Sequence, residues 1–319
     1  MSTGVARMSP QRLHTALTWV RGQRHVGAPM AGYTSLRVGG PADLLLIPTD
    51  LEELRAIVVW ASARGVPVTW LGNGSNLIVR PRGVRGMVVS LRQALNHISL
   101  LEPHRPSDKR PGDPVCVRVG AGVPLTRVLH AAIREGLDGL AFAVGIPGTL
   151  GGAIAMNAGT EVGSTWDVVE SVTLLLPSGQ MLEVRPEEVA VGYRFAALPE
   201  QSVVVSATLR ATQGKPEQVR EQVRRLYRYR GESQPLAYPN AGSIFKNPPG
   251  ERAGRLIDRL GLKGFRIGDA QVSPMHANFI VNLGQASADE VLALIDCVKR
   301  EVHAHTGILL EEEVRIVGE

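Results

Sequence analysis

The stretch VPVTWLGNGSNLIV at residues 66–79 decides the fold, because an apolar strand runs there into glycine and small polar residues. Before it, Asp50 and Glu53 have the spacing of a helix-capping box, and apolar residues follow at helical intervals up to Gly65. After it, MVVSL at residues 87–91 has the composition of a buried strand. The β-α-β order predicts an α/β fold.

Helix and strand signals continue to the end of the chain. Further strands are predicted at residues 115–119, 168–176, 180–184, 202–211 and 313–317, the second and third joined by a Pro-Ser-Gly hairpin turn. Further helices are predicted from Pro124 to Gly136, at 217–230, at 252–260, and from Ser287 to Gly307. The polar insertion EPHRPSDKRPGDP at 102–114 has no periodicity, which predicts a surface loop.

Composition narrows the classes of function. The chain of 319 residues is 44% apolar and 20% charged, which is typical of a globular protein, and its 4% aromatic content argues against stacking of single-stranded nucleic acid. Its net charge of +5 leaves a basic nucleic-acid-binding module as a rival interpretation. The densest basic stretch, at 220–230, is interleaved with glutamates, which favours a solvated helix face.

Neither a disulfide framework nor a metal site is predicted. Cys116 and Cys297 lie outside any zinc spacing, and His303 and His305 cannot share one helix face. His276 precedes a predicted strand, so we expect it to have a structural capping role. The N-terminus lacks a signal-peptide core and no run of 18 apolar residues occurs, so we expect a cytoplasmic protein without a membrane partner.

Two glycine-rich runs are the strongest indications of a ligand site. The first comprises Leu71, Gly72, Asn73, Gly74, Ser75, Asn76 and Leu77, and the second is GIPGTLGGAIAMNAG at 145–159. Such runs let consecutive backbone N–H groups approach an anion without obstruction by Cβ atoms, so both are candidate phosphate-binding nests. Neither has the spacing of the dinucleotide-binding glycine motif or of the P-loop.

The motifs occur in the order found in one enzyme family. They are YTSLRVGG at 33–40, LGNGSNLIVR at 71–80, the second glycine-rich run, GYR at 192–194, AGSIFKNP at 241–248 and EVR at 313–315. From about residue 30 to its end the chain resembles the UDP-N-acetylenolpyruvoylglucosamine reductases of peptidoglycan precursor synthesis. Only 49 positions separate Arg194 from Ser243, which resembles the shorter subclass without a tyrosine-bearing loop.

The resemblance implies an α/β FAD-binding fold of the vanillyl-alcohol-oxidase type, with two α/β subdomains, followed by an α+β substrate-binding domain. The domains expected from it are an N-terminal extension at 1–25, FAD-binding subdomains at 26–90 and 91–213 with a flexible loop at 102–114, a substrate-binding domain at 214–308, and a C-terminal strand at 309–319 that returns to the active site.

The resemblance also implies an activity. NADPH reduces FAD, and flavin N5 then delivers hydride to the CH₂ carbon of UDP-N-acetylglucosamine enolpyruvate, which yields UDP-N-acetylmuramate. The residues expected to hold FAD are those of the first run together with Gly145, Ile146, Pro147, Gly148, Gly151, Gly152, Ala153, Asn157, Ala158 and Gly159.

By motif position, Ser243 is the proton donor, and Arg194 and Glu313 flank the substrate carboxylate. An arginine can bind a carboxylate in bidentate fashion. An ionised Glu313 would repel the developing dianion, so we hypothesise that Glu313 is protonated or neutralised by a cation when hydride moves. Tyr193 and Asn247 are expected to bind substrate.

One departure from the family pattern concerns the substrate diphosphate. Relatives usually have a basic residue where this chain has Ser233, so Arg230 or Lys246 is expected to replace it.

A flavin oxidase of the same superfamily is the nearest alternative function. No histidine for flavin attachment occurs in either glycine-rich run, which weighs against it. We expect a small-molecule substrate, no nucleic acid and a monomeric protein, although the sequence leaves oligomers open.

Overall fold

The computed structural model describes residues 8–101 and 110–319. Residues 1–7 of the predicted N-terminal extension and 102–109 of the predicted loop lie outside the described residues. The helices are α1 (Pro10–Ala16), α2 (Leu51–Ala63), α3 (Leu125–Glu135), α4 (Leu150–Ala155), α5 (Pro216–Ser233), α6 (Ala253–Arg259) and α7 (Ala288–Thr306).

The strands are short and numerous. They are β1 (Gln23–Pro29), β2 (Pro41–Ile47), β3 (Val68–Leu71), β4 (Leu77–Val79), β5 (Val84–Ser90), β6 (Ile98–Leu101), β7 (Pro114–Gly120), β8 (Leu137–Asp138), β9 (Gly159–Thr160), β10 (Gly163–Ser164), β11 (Val169–Leu175), β12 (Met181–Val184), β13 (Val191–Gly192), β14 (Phe195–Ala196), β15 (Val203–Gln213), β16 (Asn240–Ser243), β17 (Arg266–Ile267), β18 (Ala270–Val272), β19 (Phe279–Asn282) and β20 (Arg315–Val317). The mixture of helices and strands confirms the predicted α/β class.

The chain divides into two compact units. Unit 1 comprises Met1–His25, Leu45–Gly72 and Gly86–Arg228, and unit 2 comprises Val26–Leu44, Asn73–Arg85 and Tyr229–Glu319. The domain boundaries expected from the sequence stay predictions.

Unit 1 contains a six-stranded antiparallel sheet. Its order is β12-β11-β15-β7-β6, and β8 pairs with the end of β15. The Pro-Ser-Gly turn joins β11 to β12, with Leu175 opposite Met181, which confirms the predicted hairpin. The long strand β15 is central, because β11 and β7 pair with its two edges, and it is buried along most of its length.

The stretch at 66–79 supplies strand β3, which pairs in parallel with β5. Val68 in β3 lies opposite Met87 in β5, within a four-stranded sheet of order β1-β2-β5-β3. Helix α2 precedes β3 and ends before Gly65, which has a φ of +61°. A left-handed residue at this point suits glycine, so the predicted end of the helix is confirmed.

Unit 2 is built on a second antiparallel sheet of order β16-β19-β18-β17. Helix α7 supplies much of its core through buried residues at helical spacing, namely Val291, Leu294, Ile295, Val298 and Val302. Ser287 and Glu290 form the predicted capping box, and Gly307 ends the helix with a φ of +71°. The terminal strand β20 pairs in parallel with β4, Arg315 opposite Leu77.

Three local features differ from or add to the sequence prediction. Pro124 was predicted to be the first residue of α3, but it is the N-cap, and the helix begins at Leu125. The fixed φ of proline suits either position. The second glycine-rich run contains the short helix α4, whose Leu150, Ala153 and Ile154 pack inward. Helix α1, capped by Ser9, was not predicted, since seven residues are too few for a clear period.

Glu53 secures the start of α2 by contacts that the capping signal did not indicate. Asp50 caps the helix by accepting from the Glu53 N–H at 2.9 Å, as predicted. The Glu53 carboxylate is buried and accepts from the backbone N–H groups of Thr49 at 2.6 Å, Gly22 at 3.1 Å and Arg21. Burial raises the pKa of Glu53, but these hydrogen bonds outweigh burial, and the pKa lies below its ordinary value.

We expect Glu53→Ala to lower the free energy of unfolding by about 2–4 kcal/mol at pH 7, because it leaves several N–H groups without their acceptor. A carboxyl whose pKa is depressed on folding stabilises the protein above its ordinary pKa of 4.5 and loses this effect as the pH falls. The difference between wild type and variant should therefore shrink below that pH. Urea unfolding at several pH values measures this, with exposed Glu52→Ala as the control; equal stability of both variants would contradict it.

Candidate active site

Ser243 lies where a strand of unit 2 changes register. It is the last residue of β16 and pairs with Phe279 of β19, and the register shifts between Asn240 and Ser243. Gly242 has a φ of +77°, and its N–H donates to the Asn240 side chain at 3.0 Å. Such irregularities re-aim a side chain out of the regular alternation of a strand, and they are frequent beside active sites.

Glu313 lies next to Ser243 in the fold, because residues 311–313 (the Glu313 segment) pair with residues 243–246 (the Ser243 segment). Its N–H donates to the carbonyl oxygen of Ile244 at 2.8 Å, and Phe245 and Glu312 form an antiparallel bridge. The N–H of Lys246 donates in turn to Glu311 at 2.9 Å. Two of the residues predicted to be catalytic, Ser243 and Glu313, therefore lie on neighbouring backbone segments of unit 2, and both are half-buried.

The end of the first glycine-rich run is joined to Glu313. The Asn76 side-chain amide donates to the Glu313 carbonyl at 3.0 Å, and the Asn76 carbonyl accepts from the Arg315 N–H at 2.9 Å. Within the same run, Gly74 has a φ of +61°, and a Cβ there would lie 2.1 Å from the Tyr33 carbonyl oxygen. This half of the run thus has structural reasons for its residue types, in addition to any ligand.

Arg194 belongs to unit 1, at the tip of the two-residue hairpin between β13 and β14. Its φ of +57° is unusual for a residue with a side chain. Its guanidinium carbon lies 5.1 Å from the centre of the Tyr193 ring, and Nη2 donates to the Gly159 carbonyl at 3.1 Å. The hairpin thus holds the arginine in a strained backbone conformation, which is common at functional sites.

Asn157 supports that hairpin from the second glycine-rich run. Its side-chain amide donates to the Gly192 carbonyl at 3.0 Å, and its oxygen accepts from the Trp166 N–H at 3.1 Å. Asn157 is buried, and its φ of +46° is one that asparagine tolerates better than most residues. Its side chain therefore acts within the protein, and its predicted contact with FAD stays a prediction.

A buried hydroxyl in unit 1 fits a phosphate-binding role. Thr149 is 1% exposed, and its Oγ1 has no hydrogen-bond partner among the residues that the structure describes. A Cβ at Gly72 would lie 2.4 Å from that oxygen, so only glycine leaves room beside it. A buried hydroxyl without a partner is costly, and a phosphate oxygen is an acceptor that would satisfy it. Gly72 and Thr149 thus fit the pyrophosphate of FAD.

Other members of the second run have their backbone groups occupied. Gly151 donates to the Ala121 carbonyl at 2.9 Å, and a Cβ on it would lie 2.8 Å from the Ala121 side chain. The N–H of Ala158 donates to Ala153 at 2.9 Å, and the Ala158 carbonyl accepts from Thr165. Small residues in this run therefore also serve close packing, which a sequence pattern cannot separate from ligand binding.

The candidate cations for the substrate diphosphate both have partners within the protein. Two guanidinium nitrogens of Arg230 donate to Gln234 Oε1 at 2.9 and 3.1 Å, and Lys246 pairs with exposed Glu311. Ser233 donates to the Tyr229 carbonyl at 2.9 Å within α5. Lys246 is the more readily redirected of the two, because an exposed ion pair contributes little free energy.

Two further residues near Ser243 have structural contacts. The side-chain oxygen of Asn247, a predicted substrate ligand, accepts from the Ala253 N–H at 3.0 Å at the start of α6. His276 Nδ1 accepts from the Asn278 N–H at 3.2 Å, which agrees with the capping role predicted for it. Burial lowers the pKa of His276, because it disfavours the imidazolium, and the charge of Lys263 acts in the same direction.

Asn278, which no sequence motif includes, makes several hydrogen bonds to the Ser243 segment. Its backbone carbonyl accepts from Ile244, and its side chain bonds both backbone groups of Phe245. No local sequence signal identifies it, because these partners lie more than 30 positions away along the chain.

Comparison with known proteins defines the class first. The model of the FAD binding domain matches residues 42–185, and a UDP-N-acetylenolpyruvoylglucosamine reductase C-terminal domain matches residues 234–317. Together with the fold and the site described above, these two matches identify the protein as an FAD-dependent oxidoreductase. No helix among the described residues is both long and apolar enough to span a membrane.

The family follows from whole-chain similarity. A UDP-N-acetylenolpyruvoylglucosamine reductase of Geobacter metallireducens is 43% identical over 94% of this chain and 96% of its own length. Reductase 2 of Symbiobacterium thermophilum is 44% identical over 91% of each chain. The crystal structure of the Thermus caldophilus reductase matches with a TM-score of 0.75 and 37% identity, covering 93% of this chain and 99% of that one. The chain belongs to the UDP-N-acetylenolpyruvoylglucosamine reductase family.

Removal of the buried Thr149 hydroxyl should affect the stability of the FAD-free protein and its affinity for FAD in different ways. Thr149→Val replaces it by a methyl group of similar size, so the FAD-free protein should become no less stable, because an unsatisfied polar group is removed. The Kd for FAD should rise about 10–100-fold through loss of one hydrogen bond to a charged group.

Thr165→Val is the matched control, because Thr165 Oγ1 is fully buried but donates to the Ala158 carbonyl at 2.7 Å. That variant should lose stability with or without FAD. Flavin titration and thermal unfolding of the FAD-free proteins measure both effects. Unchanged FAD affinity in Thr149→Val would contradict the assignment of this hydroxyl to the pyrophosphate.

Proposed function

We propose that this enzyme catalyses the NADPH-dependent reduction of UDP-N-acetylglucosamine enolpyruvate to UDP-N-acetylmuramate. The observation that carries the proposal is the backbone pairing of the Ser243 segment with the Glu313 segment, to which Asn76 of a glycine-rich run is also bonded. The order of the same motifs along a chain of the reductase family supports it further.

When bound, FAD supplies the hydride that adds to the terminal CH₂ carbon of the enolpyruvyl group. A proton must then reach the adjacent carbon, so that one hydride and one proton together saturate the double bond. We assign the proton to the Ser243 hydroxyl, which lies directly after the register shift in β16. A serine hydroxyl is a weak acid, so its donation depends on a carbon that has become strongly basic.

Arg194 is assigned to the substrate carboxylate. Charge develops on that group as hydride adds, and a preorganised guanidinium stabilises it through two parallel hydrogen bonds. The Gly159 carbonyl holds one side of the guanidinium and the Tyr193 ring lies close to it, which fixes its orientation before substrate binds. Lysine would keep the charge but not the planar geometry.

Glu313 is assigned the role of a neutral hydrogen-bond donor near the same developing charge. Its backbone is held on both sides, since its N–H donates to Ile244 and its carbonyl accepts from Asn76. A fixed carboxylate would repel the dianion, whereas a fixed carboxylic acid would donate to it. The proposal therefore requires a protonated Glu313 at the moment of hydride addition.

An anaerobic experiment tests the function. The protein is reduced with NADPH, UDP-N-acetylglucosamine enolpyruvate is added, and return of the flavin absorbance is followed by stopped flow. The wild type should reoxidise rapidly with substrate and slowly with air alone. Rapid reoxidation by air and none by substrate would instead indicate a flavin oxidase.

Ser243→Ala should slow reoxidation by substrate by roughly three orders of magnitude, which is within the usual range for loss of one proton donor. Reduction of the flavin by NADPH should be unchanged, because no proton passes from Ser243 in that step. Ser178→Ala, at an exposed turn, is the control. A Ser243→Ala enzyme that reoxidised at the wild-type rate would remove Ser243 from the mechanism.

Glu313→Gln should remove one titration from the pH dependence of the reoxidation rate. Wild-type activity should fall as the pH rises and Glu313 loses its proton, whereas the amide donates at every pH. Because Gln cannot lose a proton there, the variant should keep its rate at high pH. A pH–rate profile that Glu313→Gln leaves unchanged would contradict the protonated state.

A further inference from the structure

We propose that Asn278 is a positioning residue that sets the location of the Ser243 hydroxyl. This inference rests on the proposed function, because it matters only if Ser243 delivers the proton. Asn278 touches neither FAD nor substrate in this proposal, and it acts only through the backbone that carries Ser243.

Asn278 forms hydrogen bonds with most of the backbone N–H and carbonyl groups of Ile244 and Phe245, the two residues after Ser243. Its backbone carbonyl accepts from the Ile244 N–H at 2.9 Å. Its side-chain oxygen accepts from the Phe245 N–H at 3.0 Å, and its side-chain amide donates to the Phe245 carbonyl at 2.8 Å. The remaining group, the Ile244 carbonyl, accepts from Glu313 at 2.8 Å. One asparagine thus satisfies three of the four backbone groups of these two residues.

The side chain acts here in place of a strand backbone. The ladder between β16 and β19 ends at the pair Ser243 and Phe279, so residues 244 and 245 have no further strand partner on that side. An amide side chain offers one donor and one acceptor with the geometry of a peptide group. Asn278 therefore continues the pairing by one residue and prevents the chain from leaving the sheet directly after Ser243.

Asn278 is itself held firmly. It is 4% exposed, and its N–H donates to His276 Nδ1 at 3.2 Å. A Cβ at Gly254 would lie 3.4 Å from the Asn278 Cβ, so α6 approaches closely from another side. A buried side chain with fixed neighbours has one rotamer available, and its hydrogen bonds transmit that position to Phe245.

The consequence for the reaction is geometric. A proton donor must lie within hydrogen-bond reach of the atom that it protonates, and a displacement of about 1 Å can cost about 100-fold in rate. Loss of the Asn278 amide would free Phe245 and let the segment shift. We expect the reduction of the flavin by NADPH to be unaffected, because both side-chain hydrogen bonds of Asn278 go to Phe245.

The test uses Asn278→Asp, which keeps the size and the acceptor but cannot donate to the Phe245 carbonyl when ionised. We expect reoxidation by UDP-N-acetylglucosamine enolpyruvate to slow by about 100-fold at saturating substrate. Reduction by NADPH should be unchanged and KM should change far less than kcat. Asn282→Asp is the matched control, because Asn282 is 2% exposed at the end of β19, and its amide donates to Leu36, outside the Ser243 segment.

A double variant separates positioning from general damage. If Asn278 acts through Ser243, the variant Ser243→Ala/Asn278→Asp should reoxidise no more slowly than Ser243→Ala alone. If the two losses multiply, or if Asn282→Asp slows the reaction as much as Asn278→Asp, the proposal is overturned. Failure of the wild type to reoxidise with this substrate would instead overturn the proposed function.

Amide hydrogen exchange supplies a readout that needs neither turnover nor a stable variant. In the wild-type holoenzyme the amides of Ile244 and Phe245 should exchange as slowly as those of β19, because Asn278 holds both. In Asn278→Ala, which removes the side-chain acceptor of the Phe245 N–H, the Phe245 amide should exchange faster, and in Asn282→Ala it should not. Fast exchange at Phe245 in the wild type would overturn the proposal even if every variant failed to fold.

Discussion

The structure of unit 2 depends on complete hydrogen bonding of a two-residue segment, Ile244 and Phe245. Both residues are buried, and a buried backbone group without a partner is costly. Asn278 on one side and Glu313 on the other satisfy all four groups. Because Ser243 directly precedes this segment, the same bonds that stabilise the fold also determine where its hydroxyl lies.

Three asparagine side chains make contacts that a strand would otherwise make. Asn76 donates to Glu313, Asn157 donates to Gly192, and Asn278 donates to Phe245, each to a backbone carbonyl. All three acceptors lie next to or within segments that carry predicted site residues. Irregular backbone is needed where side chains must be aimed, and an amide is the side chain that can replace a missing peptide partner. Asn76 and Asn157, which belong to the glycine-rich runs, therefore have structural roles beside any ligand contact.

Sequence patterns predicted elements whose determinants are local. The caps of α7, the β11–β12 hairpin and the end of α2 each depend on residues within a few positions of one another. The partners of Glu53 and Asn278 could not be predicted, because Arg21 and Phe245 lie more than 30 positions away and only the fold brings them together. Motif order predicted Ser243 and Glu313, whereas their pairing through Ile244 is visible only in three dimensions.

The electrostatics around Glu313 follow from its position in the sequence Glu311-Glu312-Glu313. Glu311 pairs with Lys246, and Glu312 pairs with Lys299 of α7 at 2.6 Å. Each lysine offsets one negative charge, so the two neighbouring carboxylates add little net potential at Glu313. Without these lysines, three adjacent carboxylates would repel an anionic substrate. In the proposed mechanism, this pairing lets a glutamate-rich segment lie beside a carboxylate-bearing substrate, and the local charge then depends on whether Glu313 carries a proton.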